Sequence, residues 1–511
     1  MAINERKLVS PIRVVIRFIV ALILIFVQVL IYWYLFIGSL DIPYIYLVFK
    51  VVSIILVIKL YNSNDNLSYK ILWIIIILLL NVTGPLFYLC FGNGNSLPKR
   101  KSRKINGYIN TKIISSDILE EIKKSDNLSY RLSKYLNSVT GFYPSKNDKE
   151  YFFKSGSDLF LKMIEEIDKA KKYIFLEYYI VSSGYMLDTL IDHLTLASNR
   201  GVEIKFIYDY VGCNISRVLK RKDLKRLKEI PNLTILAFNQ PKITLNLGIN
   251  YRNHRKLLLI DGVISFVGGI NIADEYIDKK KRFGVWRDNA VMIVGEATYN
   301  YVLLFLSSWY LATNIKLEIE DYFYKPNDVL LDGYVFTFGD GPNNKHNPVY
   351  NLYLKMIENA KSKIYISTPY FIIDNLFINT LINQINSGVE VIILIPEIPD
   401  KKFVYLMSLD NLRKIINSGG KVYKFKGGFN HAKTLIIDGM YALVGTANVD
   451  YRSMFLHYET GCLLMKKRVI EEIEKDFLEN VNVSILLERD TKNNLFGKVL
   501  SYLYSLIGPL F

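Results

Sequence analysis

The sequence predicts an α/β fold made of two tandem, homologous α/β halves, preceded by an apolar N-terminal region. Three observations support this. A motif at 253–271 returns at 430–448, strands alternate with helices after residue 148, and the most apolar stretches precede residue 92. We divide the chain into a membrane-type region (1–104), a connector (105–147), a first half (148–325) and a second half (326–511).

Two stretches of the N-terminal region, 18–38 and 71–91, are long and apolar enough to cross a membrane. Each matches the roughly 20 residues that span a hydrocarbon core. Between them, 42–58 is apolar but contains Lys50, so a third span and an interfacial helix both stay open. Basic residues before the first stretch and at 98–104 favour the cytoplasmic side for the rest of the chain. We therefore predict a multi-pass protein of the cell membrane.

Charge and cysteine content narrow the class of protein. The net charge of +16 predicts a polyanionic partner, either nucleic acid or the anionic face of a membrane. Part of this charge lies at 217–229, which is typical of a solvated helix face but also suits lipid phosphates. The cysteines are few and far apart, which argues against a disulfide framework or structural zinc.

Helical and strand patterns alternate through the first half. A helical face at 157–171 is followed by a strand at 173–180, a helix at 185–200 and a strand at 202–209. The same order restarts after residue 345. Strands separated by helices predict a largely parallel sheet in each half, covered on both faces.

Both copies of the repeated motif read His-x-Lys, four residues, Asp-Gly, five residues, Gly, two residues and Asn. Residues two apart in an extended segment point to the same face, so each copy presents an imidazole and an ammonium together. The apolar run and the Asp-Gly turn that follow predict a buried β-hairpin. The equivalent positions are His254 and His431, Lys256 and Lys433, Asp261 and Asp438, and Asn271 and Asn448.

Two such hairpins that meet across a pseudo-two-fold axis would share one pocket. Its lysines and asparagines suit the nonbridging oxygens of a phosphodiester. One histidine can attack phosphorus while the other protonates the departing alkoxide. Asp261 and Asp438 are less obviously suited to this chemistry, because each lies at the far end of its strand and is able to anchor the hairpin instead.

The paired motifs resemble those of the phospholipase D superfamily. That family's signature is His-x-Lys-x4-Asp with a downstream Gly and Asn, and this sequence carries it twice in the same order. The resemblance implies that no metal and no cofactor is needed, with His254 as nucleophile and His431 as acid and base. It also implies the catalytic set His254, Lys256, Asp261, His431, Lys433 and Asp438.

Further residues suit substrate binding or orientation of the histidines. Asp288 lies in a Trp-Arg-Asp sequence similar to that of the family, and Glu459 takes the comparable place after the second motif. These carboxylates and Glu177 are candidates to orient the histidines, since a histidine base needs an acceptor on its other nitrogen. Asn271 and Asn448 are candidates to bind phosphate oxygens.

The remaining histidines lie outside the motifs. His193 in a helix and His346 in a polar turn are expected to be structural or exposed. His457 lies two residues before Glu459, so a structural and a functional role both stay open.

Within the superfamily, the chain resembles the bacterial cardiolipin synthases through its GPLFYLCFG segment, its two motif halves and its C-terminal PLF. The resemblance implies phosphatidyl transfer between two phosphatidylglycerol molecules, giving cardiolipin and glycerol through a phosphatidyl-histidine. Phosphatidylglycerol and anionic membrane lipids are the expected partners, nucleic acid is not expected, and the oligomeric state stays open. A phospholipase D-type hydrolase, another phosphatidyltransferase and a membrane-bound nuclease stay open as alternatives, because the motif identifies the reaction type and not the acceptor.

Overall fold

The described residues fall into two compact units, one formed by residues up to 92 and the other by residues from 117 onward. The computed structural model describes residues 26, 30, 43–63, 65–80, 82–92, 117–146, 148–215, 218–239, 251–322, 332–342, 344, 346–488, 504 and 506–508.

The N-terminal unit is helical. It contains α1 (Pro43–Tyr61), α2 (Leu67–Leu79) and α3 (Thr83–Phe91). The stretch 71–91, predicted as one membrane span, is thus divided between α2 and α3 and is not one continuous helix; its crossing of a membrane stays a prediction. Pro85 explains the break, because proline lacks the amide N–H and its ring clashes with the carbonyl four residues earlier in a continuous helix.

The other membrane predictions have different outcomes. The segment 42–58 lies almost wholly within α1. The predicted span 18–38 lies outside the described residues, except for positions 26 and 30. The basic run 98–104 also lies outside them. None of the helices in the described part of the chain is both long enough and apolar enough to cross a membrane.

The second unit begins with the connector and the first α/β half. In the connector, Asp126 caps the helix that begins at Asn127 by accepting a hydrogen bond from Ser129 N. Gly141 ends this helix with a φ of 78°. The elements, in chain order, are α4 (Asp117–Ser125), α5 (Asn127–Thr140), β1 (Asp148–Phe153), α6 (Gly156–Lys169), β2 (Tyr173–Tyr178), α7 (Tyr185–Asn199), β3 (Glu203–Asp209), α8 (Arg221–Glu229), β4 (Leu233–Phe238), β5 (Lys256–Ile260), β6 (Ile264–Gly268), β7 (Val285–Arg287), β8 (Ala290–Gly295) and α9 (Thr298–Thr313).

The second half repeats this order with small additions. Its first helix has Pro348 in the first turn, where the missing amide N–H costs nothing. The elements are β9 (Tyr334–Asp340), α10 (Pro348–Glu358), β10 (Lys363–Ser367), β11 (Phe371–Ile372), α11 (Asn375–Asn386), β12 (Glu390–Pro396), α12 (Lys402–Asn417), β13 (Lys421–Phe425), β14 (Gly428–Asn430), β15 (Thr434–Ile437), β16 (Tyr441–Gly445), β17 (Val449–Asp450), α13 (Tyr451–Phe455), β18 (Glu459–Met465), α14 (Val469–Asn482) and β19 (Ile485–Leu486).

The two main sheets have the same topology. The first has the order β1-β8-β6-β5-β2-β3-β4, and the second has β9-β18-β16-β15-β10-β12-β13, extended by β19. Every strand of the first sheet therefore has a counterpart at the same place in the second. This confirms the two tandem α/β halves predicted from the repeated motif.

The direction of the strands differs from the prediction. In the first sheet only β2, β3 and β4 run parallel, whereas the other neighbours are antiparallel. The prediction of a largely parallel sheet is therefore wrong. Parallel neighbours need a crossover, which α7 and α8 provide, but the tight Asp-Gly turn between β5 and β6 forces an antiparallel pair.

Helix α9 connects the cores of the two halves. Its residues Thr298–Tyr310 are all buried, as expected of a helix that is apolar around its whole circumference. Phe305 stacks on Phe175 of β2 with ring centroids 4.3 Å apart, and Tyr301 donates a hydrogen bond to Gly461 O of β18. Both sheets thus share one hydrophobic core, which fixes the position of the two motif hairpins relative to each other.

Candidate active site

The two motif hairpins turn through their Asp-Gly pairs. Asp261 and Gly262 have φ of 51° and 69°, and Asp438 and Gly439 have 54° and 67°. These are left-handed conformations, which aspartate tolerates and glycine adopts freely. The tight turns bring β6 back along β5 and β16 back along β15.

Asp261 and Asp438 anchor these turns to the preceding strands. Asp261 accepts hydrogen bonds from the backbone amides of 171–173 at 2.8–2.9 Å, and Asp438 accepts those of 361–363 at 2.8–3.2 Å. Each aspartate lies five positions after the motif lysine, which is roughly 17 Å along an extended strand. We therefore correct the predicted catalytic set by removing Asp261 and Asp438, because their carboxylates hold the hairpins.

Each motif histidine is held by a carboxylate from the other half of the chain. His254 Nδ1 lies 2.9 and 3.1 Å from the two carboxylate oxygens of Glu459. His431 Nδ1 lies 2.6 Å from Asp288 Oδ2. Both carboxylates are fully enclosed, while the histidine rings keep about a tenth of their surface exposed. Each half of the chain thus orients the motif histidine of the other half, so the site requires both halves.

Backbone hydrogen bonds reinforce this exchange. His431 N donates to Arg287 O at 2.7 Å, directly after β14 pairs in parallel with β7. In the same way, His254 N donates to Tyr458 O at 2.9 Å, next to the parallel bridge between Asn253 and Tyr458. The two arrangements are related by a pseudo-two-fold axis. Each carboxylate therefore follows a residue whose carbonyl already fixes the histidine backbone.

The two motif lysines are buried beside the histidines. Lys256 Nζ donates to His254 O at 2.6 Å, and Lys433 Nζ donates to His431 O. Burial lowers the pKa of Lys256 to about 7 and that of Lys433 to about 8. An ammonium that has lost its water shell gains more from an incoming anion than a solvated one does. The lysines therefore suit a phosphodiester that enters the pocket.

Burial also lowers the pKa of both histidines well below the usual value, and the charges of both lysines add to this effect. The free site therefore holds neutral imidazoles near pH 7. With Nδ1 directed at a carboxylate, Nε2 is the nitrogen left for chemistry on each ring. Burial raises the pKa of the Asp288 carboxyl to about 7, although the charge of Lys433 opposes this shift.

Glu177 does not orient a histidine. Its Oε1 accepts a hydrogen bond from Asn253 Nδ2 at 2.6 Å and lies 3.4 Å from the guanidinium of Arg255. These residues flank His254 in sequence, so Glu177 supports the backbone that carries the histidine. The prediction that it contacts the imidazole is corrected, because β2 places its carboxylate on the neighbouring side chains.

The two motif asparagines have different surroundings. Asn271 accepts from Ile180 N at 3.0 Å and donates to the Tyr276 hydroxyl at 2.6 Å. Asn448 donates to Asp450 at 3.0 Å, and its Oδ1 is buried with no hydrogen-bond partner among the described residues. Their predicted role in binding phosphate oxygens stays a prediction.

Aromatic rings surround both histidines, although no motif marks most of them. Tyr179 packs edge-on against His254 at 5.0 Å, and Tyr276 against His431 at 5.5 Å. Trp286 lies 5.3 Å from the His431 ring. Their spacing in the sequence is irregular, so only the tertiary fold reveals that they belong to one pocket. Such rings exclude water from the pocket and so strengthen the electrostatic interactions inside it.

His457 takes the place on the His254 side that Trp286 takes on the His431 side. Each precedes its orienting carboxylate by two residues, and the His457 ring lies 5.4 Å from that of His254. Its Nδ1 is 3.7 Å from Glu459, beyond hydrogen-bond distance, and neither ring nitrogen has a hydrogen-bond partner in the described part of the chain. Burial lowers the pKa of His457 to about 3.

One trio in the pocket has a spacing that suits a metal ion. Ligand atoms of His254, His457 and Glu459 lie within 4.8 Å of one another. The ammonium groups of both lysines oppose a cation here, and Glu459 already accepts hydrogen bonds from His254 and Thr446. The donor set therefore fits a metal poorly.

Comparison with known domain families supports a match over both halves. Residues 163–300 and 353–482 match the family described as cardiolipin synthase, PLD-like domain. Residues 51–93 match the family described as phospholipase D–nuclease N-terminal.

Similar proteins extend this result over most of the chain. A Streptococcus mutans protein described as uncharacterized is 33% identical, covering 89% of this chain and 99% of its own length. A cardiolipin synthase from Oceanobacillus iheyensis is 35% identical, covering 82% and 88%. Among solved structures, a phosphatidylserine synthase from Haemophilus influenzae matches with a TM-score of 0.55 at 16% identity, covering 76% of this chain and 100% of its own. That last likeness concerns the fold alone.

Proposed function

The chain belongs to the cardiolipin synthase-like proteins of the phospholipase D superfamily, and we propose that it is a cardiolipin synthase. It would transfer a phosphatidyl group from one phosphatidylglycerol to the headgroup hydroxyl of another, giving cardiolipin and glycerol. The observation that carries the proposal is the pair of carboxylate-oriented histidines, which lie close enough that, besides burial, the charges of both lysines and His431 lower the pKa of His254. Phosphodiester exchange needs one such imidazole as nucleophile and another as acid and base.

In the first step, His254 Nε2 forms a bond to phosphorus of the donor lipid. The bond from phosphorus to the headgroup oxygen breaks, and that oxygen leaves with the bonding pair. His431 gives it a proton, so glycerol departs as an alcohol and a phosphatidyl-histidine remains. Glu459 stabilises the positive charge that develops on the His254 ring.

In the second step, the headgroup hydroxyl of another phosphatidylglycerol gives its proton to His431. Its oxygen bonds to phosphorus, and the phosphorus–nitrogen bond returns its electron pair to His254. One phosphodiester thereby replaces another, and no nucleotide is consumed. The assignment of nucleophile and acid follows the family resemblance.

The buried lysines and the proton balance fit this sequence of steps. The negative phosphodiester offsets the charges of Lys256 and Lys433, which otherwise lower the pKa of the histidines. Substrate binding thus raises the pKa of His431 towards the value at which it donates a proton. The nonbridging oxygens meet two ammonium groups, which stabilise the charge of the transition state.

We further propose that the protein is held at the cell membrane, with the catalytic unit on the cytoplasmic side. The apolar stretch 18–38 and the basic residues on its flanks support this, as does the basic run 98–104. A reporter that is active only in the cytoplasm, fused to the C-terminus, checks the side. We expect this reporter to be active.

The test of the activity uses the full protein in vesicles of phosphatidylglycerol, with products separated by mass. We expect cardiolipin and glycerol in equal amounts. Phosphatidic acid in place of cardiolipin would indicate a hydrolase. A preparation that forms no lipid product but cleaves single-stranded DNA would overturn the proposal. The double variant His254→Ala/His431→Ala is the background control.

A further inference from the structure

Two segments beside the pocket combine basic and exposed apolar side chains. One is 279–285 (KKKRFGV), whose residues 279–282 are exposed and whose Val285 is 51% exposed. The other is 401–406 (KKFVYL), with Lys401 and Lys402 exposed, Phe403 42% exposed and Leu406 47% exposed. We call these two segments together the rim.

The first rim segment runs directly into the pocket wall. Val285 begins β7 and pairs with Gly428 of β14, and Trp286 follows it against the His431 ring. Phe283 lies 5.9 Å from Phe429 by ring centroids. The exposed basic residues therefore lie at the edge of the pocket, one strand away from a catalytic histidine.

The second rim segment meets the first at the same edge. Ile398, which is 37% exposed, donates its amide to Gly428 O at 3.1 Å. Lys401 lies 5.5 Å from the Tyr370 ring, and its charge adds to the lowering of the pKa of both histidines. Val285 of the first segment and Ile398, three residues before the second, thus both pair with Gly428.

The charge and chemistry of the rim fit one partner. The two segments carry six cationic side chains, at 279–282 and 401–402, and Asp278, Glu397 and Asp400 are among the carboxylates near them in the sequence. Each of these three carboxylates also accepts a hydrogen bond from the protein, from Trp286 N, Gly427 N and the Tyr370 hydroxyl respectively. Cations interleaved with exposed apolar groups are typical of surfaces that bind anionic lipid headgroups and insert side chains between them.

We propose that the rim docks the catalytic unit on the surface of an anionic bilayer, with the pocket opening towards the headgroups. The proposal rests on the proposed lipid function, because docking is useful only if the substrate is in the membrane. Phe403, Leu406 and Val285 contact the headgroup region, while the basic residues bind lipid phosphates. A docked pocket accepts a phosphodiester without first extracting the lipid into water.

The test compares two substrates with the full protein. One is phosphatidylglycerol at a fixed low fraction in phosphatidylserine vesicles, and the other is short-chain phosphatidylglycerol dissolved as monomers. We expect Lys280→Gln/Lys281→Gln/Arg282→Gln to slow transfer in vesicles by at least about tenfold, because the loss of three cations weakens the attraction to an anionic surface. Transfer with the monomeric substrate should stay within about twofold, and salt should reduce the vesicle rate of the unaltered protein.

A matched control carries the same charge change on another surface. Arg221→Gln/Lys222→Gln/Lys225→Gln on α8 also replaces one arginine and two lysines, and it should leave the vesicle rate within about twofold. For the apolar contribution, Phe403→Ser/Leu406→Ser is compared with Leu161→Ser/Leu196→Ser, a pair elsewhere on the surface that is more exposed. Only the rim pair should slow transfer in vesicles.

Several outcomes overturn the proposal. An unchanged vesicle rate in the rim variants does so, as does equal slowing by the α8 control or equal slowing with the monomeric substrate. Weaker retention of the rim variant on single-stranded DNA, with an unchanged vesicle rate, would assign the rim to nucleic acid. If the unaltered protein transfers neither substrate, the proposed function fails. If it transfers both and the rim variants match it, docking alone fails.

Discussion

The His254 side and the His431 side of the pocket differ in the groups around the orienting carboxylate. Glu459 holds His254 and also accepts a hydrogen bond from the Thr446 hydroxyl. Asp288 holds His431, and its carboxylate accepts the amide of Asn289 at 2.9 Å. The longer glutamate is thus fixed by a side chain, whereas the shorter aspartate is fixed by backbone.

The position equivalent to Thr446 shows why this difference persists. In the first half it is Gly269, and a Cβ there would lie 2.1 Å from Asp288 Oδ1. A threonine at that point would displace the carboxylate from His431. The duplicated fold thus preserves the backbone that positions each histidine, while the neighbouring side chains have diverged in matched sets. Such divergence allows the two imidazoles to have different roles.

Separate removal of the two histidines gives the largest expected effect. His254→Ala and His431→Ala should each slow phosphatidyl transfer by about 10⁴-fold. A phosphodiester substrate with a p-nitrophenol leaving group should distinguish the two variants, because p-nitrophenolate departs without needing a proton. We expect it to restore cleavage in His431→Ala but not in His254→Ala, measured as p-nitrophenol release.

The reverse pattern, rescue only in His254→Ala, would exchange the two roles. Rescue of both variants would contradict a covalent histidine intermediate. The matched control is His193→Ala, since His193 lies on α7 and contacts Asp168 instead of the pocket. It should retain the unaltered rate with both substrates.

Neutralising the two orienting carboxylates tests whether the His254 side and the His431 side of the pocket differ, and its expected effect is the second largest. Glu459→Gln and Asp288→Asn each remove the charge that stabilises an imidazolium and orient the ring less well, so we expect losses of about 10²- to 10⁴-fold in kcat. Glu459→Gln should be the more severe, because it also disturbs Thr446 and the neighbouring His457. Steady-state kinetics of both variants with one substrate decides the order, and a larger loss in Asp288→Asn would refute it.

Much of this site was predictable from the sequence because it repeats. The spacing of the two motifs predicted the hairpins and the shared pocket, and the two carboxylates named as candidates to orient the histidines, Asp288 and Glu459, lie beside His431 and His254. Spacing says nothing about how a strand end faces its neighbours. That is why Glu177, placed by β2 beside Asn253, was assigned to the wrong partner.

The errors of fold and site also have physical causes. The alternation of strands and helices predicted parallel sheets, but short hairpin turns override that pattern between β5 and β6. Asp261 belongs to the family signature, yet its carboxylate is consumed by backbone amides. Tyr179 and Tyr276 could not be predicted at all, since their contacts with the histidines arise only from tertiary packing.

The lysines differ in pKa, and this gives a pH test of intermediate size. Burial brings Lys256 to about 7 and Lys433 to about 8. A neutral lysine binds the phosphodiester anion poorly, so kcat/KM should fall as pH rises through these values, by up to about tenfold per pH unit for each lysine. Arginine stays charged, so Lys256→Arg should move the start of this fall up to the pKa of Lys433, about 8.

Lys433→Arg is the matched variant and should leave the start of the fall at about 7, set by Lys256. The measurement is kcat/KM against pH with the short-chain substrate, since this quantity reports on the free enzyme. A fall that begins at the same pH in the unaltered protein and in both variants would show that neither lysine controls it.

The rings beside the histidines give the smallest expected effect. His457→Asn and Trp286→Phe each weaken an aromatic contact, at 5.4 and 5.3 Å from a pocket histidine, and should slow transfer by about two- to tenfold. His457, with a pKa of about 3, stays neutral between about pH 5 and 9. Its replacement should therefore lower the rate without moving the pH profile. A profile that shifts in His457→Asn but not in Trp286→Phe would show that His457 exchanges protons with Glu459, and that the two sides differ in chemistry as well as in packing.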